Sequence, residues 1–132
     1  MKTFWEQICA WIIALWNSLF HRASQLKPAE RPKPLRLYHA IHIENDDDIP
    51  KQLSSHTVYI VGVPGNEWLA QMICPCGCGE TLFLNLLKEE MPNWQWRVSP
   101  DGIVTLSPSV WRTVRCRSHF FLREGRIQWC VS

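Results

Sequence analysis

Glycine is scarce in this chain of 132 residues: there are six, none in the spacing that a phosphate-cradling loop requires. That argues against a P-loop or dinucleotide-binding enzyme. Charge of one sign is missing too, because 14 Lys+Arg against 12 Asp+Glu leave a formal +2. So small an imbalance does not suit a disordered or histone-like protein. No internal repeat or low-complexity tract is present. Only Lys2 precedes the first apolar run and no A-x-A pattern follows it, which argues against a secretory signal. With 46% hydrophobic and 20% charged residues, the chain should fold as one domain with a short appendage. What it has in excess is tryptophan, with eight, and cysteine, with six.

The N-terminal stretch from Phe4 to Phe20 is almost wholly apolar. On a helical wheel Glu6, Gln7, Asn17, Ser18 and His21 share one side with Ala10 and Ala14. Phe4, Trp5, Ile8, Ile12, Leu15, Trp16 and Leu19 occupy the other, which predicts an amphipathic helix over residues 1–21. Its length, roughly 25 Å, falls short of the ~30 Å hydrocarbon core, so spanning would be marginal. Three tryptophans and the basic residues after them suit a membrane interface; docking on a partner or on the protein's own core is the alternative. Residues 22–36 contain Lys27-Pro-Ala-Glu-Arg-Pro-Lys-Pro34 and read as an extended, basic, proline-rich linker.

From residue 37 onward the signals are strand-like. Leu37, His39, Ile41 and Ile43 alternate toward one face, and His56–Val63 is a β-branched run ended by Pro64-Gly65-Asn66. Segments 68–73 and 81–87 flank a cysteine cluster. Asp101-Gly102 and Glu124-Gly125 mark two further hairpins. A short helical turn is expected near Leu84–Met91, and Ser107-Pro-Ser-Val-Trp111 reads as a turn or a recognition loop. Trp94 and Trp96 should share a face of their strand, most simply toward the core. Charge is segregated along the chain: residues 37–96 hold two basic and eight acidic side chains, and residues 97–132 six basic and two acidic.

Cys74, Cys76 and Cys78 lie within Cys-Pro-Cys-Gly-Cys-Gly-Glu80, and Cys116-Arg-Ser-His119 follows nearly forty residues later. Small residues around clustered thiolates let backbone N–H groups turn toward sulfur, as metal knuckles require. A Cys3His set with one cysteine to spare favours one structural Zn²⁺ per chain. Disulfides within so tight a cluster would be poorly placed, and nothing points to secretion. Cys9 and Cys130 read as packing residues. His42-Ile-Glu44 with Pro75-Cys76 imitates the start of a deaminase zinc motif, but Gly79 stands where its last cysteine belongs.

The strings CPCGCGE (Cys74–Glu80), TLSPSVWRT (Thr105–Thr113), CRSHFF (Cys116–Phe121) and GRIQW (Gly125–Trp129) resemble an uncharacterised bacterial family of small metal-binding proteins. Its genes sit in operons with ubiquitin-like proteins, their activating and conjugating enzymes and sometimes a JAB-type metalloprotease, linked to antiphage defence. The resemblance covers roughly His56–Trp129. It implies a metal set drawn from Cys74, Cys76, Cys78, Cys116 and His119, and a place in a pathway more than a reaction.

Together these readings predict a mainly β, small α+β protein: a zinc-stapled domain over residues 37–132 with two knuckle-like ligand loops, behind an amphipathic helix. The expected role is a cytoplasmic, non-enzymatic zinc-binding adaptor or ligase-like bridge, with the helix able to touch the inner membrane. It would bind the ubiquitin-like modifier or the conjugation enzymes through Trp111, Arg112, Arg115 and Arg117, and no residue is expected to be catalytic. One alternative is a zinc-ribbon-like nucleic-acid binder using those arginines with Arg123 and Arg126. The other is a thiol enzyme using a spare cysteine among Cys74, Cys76 and Cys78.

Overall fold

A computed structural model describes residues 4–23 and 35–131, which fall into two compact units divided after Leu35. The first unit contains α1 (Phe4–Ala23), in which Phe4, Trp5, Trp11 and Trp16 are exposed. Cys9 is exposed as well, so it does not serve the packing role expected of it. No described helix is long and apolar enough to cross a membrane. That removes the spanning option and leaves the expected membrane-associated helix without support. Most of the expected linker, residues 24–34, lies outside the described residues.

The second unit is two four-stranded sheets. The first runs β1 (His39–Ile43), β2 (Thr57–Val63), β3 (Asn66–Ile73), β4 (Thr81–Asn85) in spatial order; β1 and β2 are parallel, the other pairs antiparallel. The second runs β5 (Gln95–Val98), β6 (Val104–Trp111), β7 (His119–Arg123), β8 (Arg126–Trp129), wholly antiparallel. The result is a small α+β protein dominated by strands.

Val58, Ile60, Ala70, Met72, Leu82 and Leu84 of the first sheet form one core with Val104, Leu106, Val110, Phe120 and Leu122 of the second. Each fully buried aliphatic or aromatic side chain here stabilises the fold by about 1.5–3 kcal/mol relative to exposure. The backbone around β1 also stitches the two sheets, since Val104 donates to the Tyr38 carbonyl and Ala40 to that of Gly102.

Parallel pairing of β1 with β2 demands a crossover, supplied by residues 44–56 with a 3₁₀ turn at Asp46–Asp48. The Ser54 N–H donates to the Tyr59 hydroxyl, which brings this crossover onto the outer face of β2. Tyr59 and Val61 are therefore buried as completely as Val58 and Ile60, which is why β2 reads as a continuous apolar run. In β2, a Cβ on Gly62 would lie 2.4 Å from the Glu67 Cα, so only glycine lets the two strands approach where their register slips.

Three sequence expectations shift. Around β1, Tyr38 and Ala40 face the core shared with the second sheet, while His39 and Ile41 are exposed; of the expected set only Ile43 is buried. Near Leu84–Met91 the chain leaves β4 in turns held by the Asn85 side chain and forms no helix. Residues 107–111 belong to β6 and are not a free loop. Trp94 and Trp96 do pack against the core.

Candidate functional site

The β6–β7 hairpin and the β3–β4 turn carry the chemistry. After Ile73 the chain turns back with the Cys74 N–H donating to the Glu80 carbonyl. Gly77 and Gly79 take left-handed conformations in that turn, φ 89° and 79°. Opposite it, residues 112–118 close the β6–β7 hairpin, with the Arg112 N–H donating to the Ser118 carbonyl. The Arg115 guanidinium meets the Glu80 carboxylate at 2.7 Å and ties the two turns together.

Between them the sulfurs of Cys74, Cys76, Cys78 and Cys116 lie within 4.8 Å of one another. Cys74 is buried, Cys116 half-buried, and Cys76 and Cys78 exposed. Cys74 Sγ is 3.4 Å from Cys76 Sγ and 3.8 Å from Cys116 Sγ. Zn–S bonds of about 2.3 Å in a tetrahedron give sulfur–sulfur edges of about 3.8 Å, so this set has the dimensions of a four-thiolate metal site.

Local hydrogen bonds favour thiolate. The Ser118 hydroxyl, 3.1 Å from Cys116 Sγ, and the Ser118 N–H draw the Cys116 thiol down to about 6. The same hydroxyl is the main influence lowering Cys76. Cys78 moves the other way, to about 11: the hydrogen bond from the Glu80 backbone favours its thiolate, but the hydrogen bonds shared with Cys76, Cys74 and Cys116, together with desolvation, outweigh it. Four sulfurs this close cannot all shed protons unless a cation compensates. Arg112 supplies part of that charge, with Nη1 3.2 Å from Cys116 Sγ and 3.7 Å from Cys78 Sγ.

The cluster contains all three cysteines of the first turn. His119, the fifth expected ligand, is not in it. Its Nε2 lies 3.0 Å from the hydroxyl of Ser109, ten residues earlier on the neighbouring strand. The register explains this meeting. From Leu106 to Val110 β6 advances four residues while β7 advances two, from Leu122 to Phe120. The two extra residues bulge out of the ladder around Pro108-Ser109, as strand prolines require. Trp94 anchors the bulge by donating its indole N–H to the Ser109 carbonyl at 3.3 Å. Beyond it Trp111 pairs with His119 in register and stacks on the imidazole, ring centres 5.2 Å apart and planes 19° from parallel. On the other side the Cys130 N–H donates to the His119 carbonyl.

Of the residues expected to bind a partner, Trp111 is exposed and covers one face of His119. Arg112 points at the sulfurs and Arg115 at Glu80, so both are committed to the turns. Arg117 is exposed, with a left-handed φ of 52°. Ser109 carries no role among the sequence expectations. The available signal was a proline inside a strand-like segment, which foretells a bulge and a re-aimed side chain.

Comparison with curated proteins and with solved structures returned no significant match. One family model matches residues 45–130, that of the bacterial ubiquitination-like system serine protease, BubE. This overturns the expected non-enzymatic adaptor and the expectation that the chain is not an enzyme: the matched family is named for catalysis. The expected link to ubiquitin-like conjugation stands. The sulfur cluster, the Ser109–His119 pair and nearly all of the two-sheet unit fall inside the matched residues, and the chain belongs to the bacterial ubiquitination-like system serine protease family.

Proposed function

We propose that this protein is a serine peptidase acting on ubiquitin-like modifiers or their conjugates, with Ser109 as nucleophile and His119 as its base. The observation that carries the reading is the 3.0 Å contact between Ser109 Oγ and His119 Nε2 in a chain of a serine protease family. That separation is within hydrogen-bond reach for proton transfer. Neutral His119, carrying its proton on Nδ1, takes the hydroxyl proton at Nε2 as Ser109 Oγ attacks the scissile carbonyl carbon. The imidazolium then protonates the leaving amine as the C–N bond breaks, and an ester to Ser109 remains. Water, deprotonated by the same nitrogen, hydrolyses the ester and restores the serine. The stacked face of Trp111 favours the transient imidazolium by a cation–π interaction.

The four cysteines hold one Zn²⁺ in this reading. A closed four-sulfur shell leaves no position for substrate or water, so the metal supplies folding free energy and takes no part in bond cleavage. Its position is useful to the reaction. It pins residues 112–118, the segment joining Trp111 to His119, and Ser118 links the sulfurs to the base by adjacency in the chain. The reduced cluster suits the cytoplasm.

The test incubates purified protein with the ubiquitin-like modifier of the same operon, extended at its C-terminus, and follows cleavage by mass spectrometry. Release of the extension by the wild type, and none by Ser109→Ala or His119→Ala, is expected. Cleavage undiminished in both variants would refute the reading.

A further inference from the structure

Strand alternation puts the Ser109–His119 pair on the outer face of the second sheet. His119, Phe121 and Arg123 alternate with the buried Phe120 and Leu122, so all three face outward. Arg126 pairs with Arg123 in register, and Gln128 with Phe121. On the other side of β7, Ser107 and Thr105 face the same way, and Thr105 pairs with Arg97. This face is a shallow groove of about 330 Å³ whose lining includes Ser107, Phe121, Arg97, Arg123 and Arg126, with Glu124 as its single acid. Ser107 is two residues from Ser109 and Phe121 two from His119, so the groove begins at the strand positions next to the pair.

Its charge is uncompensated. None of Arg97, Arg123 and Arg126 makes an ion pair among the described residues, whereas Arg115 is paired with Glu80. Arg123 is already placed, its guanidinium 4.0 Å above the Phe121 ring and hydrogen-bonded to Gln128. Such stacking leaves N–H groups directed sideways to meet a carboxylate. Arg123 lies four positions from His119 along β7, about 13 Å at ~3.3 Å per strand residue.

We infer that this groove is the recognition site for an acidic segment of the polypeptide substrate, lying about four residues from the bond that Ser109 attacks. The inference rests on the Ser109–His119 reading and adds a substrate preference to it. Asp or Glu side chains at that distance meet Arg97, Arg123 and Arg126, while the extended backbone crosses the sheet face toward the serine.

The test uses the full chain carrying Ser109→Ala and two fluorescein-labelled twelve-residue peptides, one with three consecutive Glu and one with Gln in their place. Fluorescence anisotropy should show the Glu peptide binding at least about five-fold more tightly at low salt, from two or three exposed charge pairs. The preference should shrink as salt is added. It should vanish in Arg97→Ser/Arg126→Ser and return in Arg97→Lys/Arg126→Lys. Equal binding of both peptides, or a preference that survives the Ser variant, overturns the inference. So does stronger binding of a (dT)₁₂ oligonucleotide, which would make the face a nucleic-acid surface. Fluorophosphonate labelling of the Ser109-containing protein separates the two readings. Labelling without acid preference removes the groove alone. Acid preference without labelling removes the pair as the destination of the bound segment, and with it the inference.

Discussion

The two sheets are treated differently by the rest of the chain. The first is covered on one face by the second sheet, and its inner strand β2 is covered on the other as well. Val58 and Ile60 turn toward the second sheet, Tyr59 meets Ser54 of the 44–56 crossover, and these and Val61 are buried, while Ile41 and Phe83 on the edge strands stay exposed. The second is covered on one face only, and its open face carries Ser109, His119, Trp111 and the unpaired arginines. Stability is concentrated in the first and chemistry in the second. At their shared edge, the sulfur cluster joins a turn of each. A domain of about 95 residues has limited surface to bury. In the proposed reading, leaving one sheet face open for substrate costs stability, which a metal held by the four sulfurs at the rim of that face would offset.

Substitutions should separate the two roles. The largest effect expected is on activity: Ser109→Ala lowers kcat/KM for modifier cleavage by about ten-thousand-fold or more while leaving the melting temperature essentially unchanged. In the first sheet the pattern reverses. Ile60→Ala should cost about 2–5 kcal/mol in denaturant unfolding, whereas Arg97→Ala on the open face stays within about 0.5 kcal/mol.

The rim joins both behaviours. Cys74→Ser, or chelation of the wild type, should lower stability by several kcal/mol and reduce activity too, through loss of order between Trp111 and His119. Acidification should act in the same direction. The Cys116 thiol at about 6 in the folded protein lies below its ordinary value of ~8.5. Its thiolate therefore contributes stability that is complete above the ordinary value and is lost as pH falls through about 6. Metal content and melting temperature should fall together over that range, and equally in Ser109→Ala. The smallest effect on activity is expected for Trp111→Ala, about five-fold in kcat/KM, because one stacked ring face is worth roughly 1 kcal/mol at an exposed site.

The fold was legible where turn chemistry or patterning is local. Pro64-Gly65, Asp101-Gly102 and Glu124-Gly125 each mark a real hairpin, and at the last both residues have positive φ, as a tight two-residue turn requires. The phase of β1 was legible only at Ile43, because the neighbours of this strand on the two faces come from segments distant in sequence. The cysteines announced the cluster by their type and crowding, and His119, expected among them, lies outside it. The Cys116-x-x-His119 spacing drew His119 into the metal set, although a histidine opening a strand points away from the turn before it. Ser109 was hidden for a related reason. Its partner is fixed by a two-residue bulge opposite β7, and nothing within Ser107-Pro-Ser-Val-Trp111 states which residue of another strand it faces. A Ser–His pair is a property of register, and register emerges only when both strands are in place.

The central claim is that Ser109, activated by His119, is the nucleophile. Its most direct measurement is reaction of the purified protein with a fluorophosphonate, followed by peptide mapping. One covalent adduct is expected, on Ser109, absent from Ser109→Ala and strongly reduced in His119→Ala, and unaffected when zinc-bound protein is first treated with iodoacetamide. An adduct on another serine, or modifier cleavage that persists in Ser109→Ala and is abolished by the thiol reagent, would contradict it.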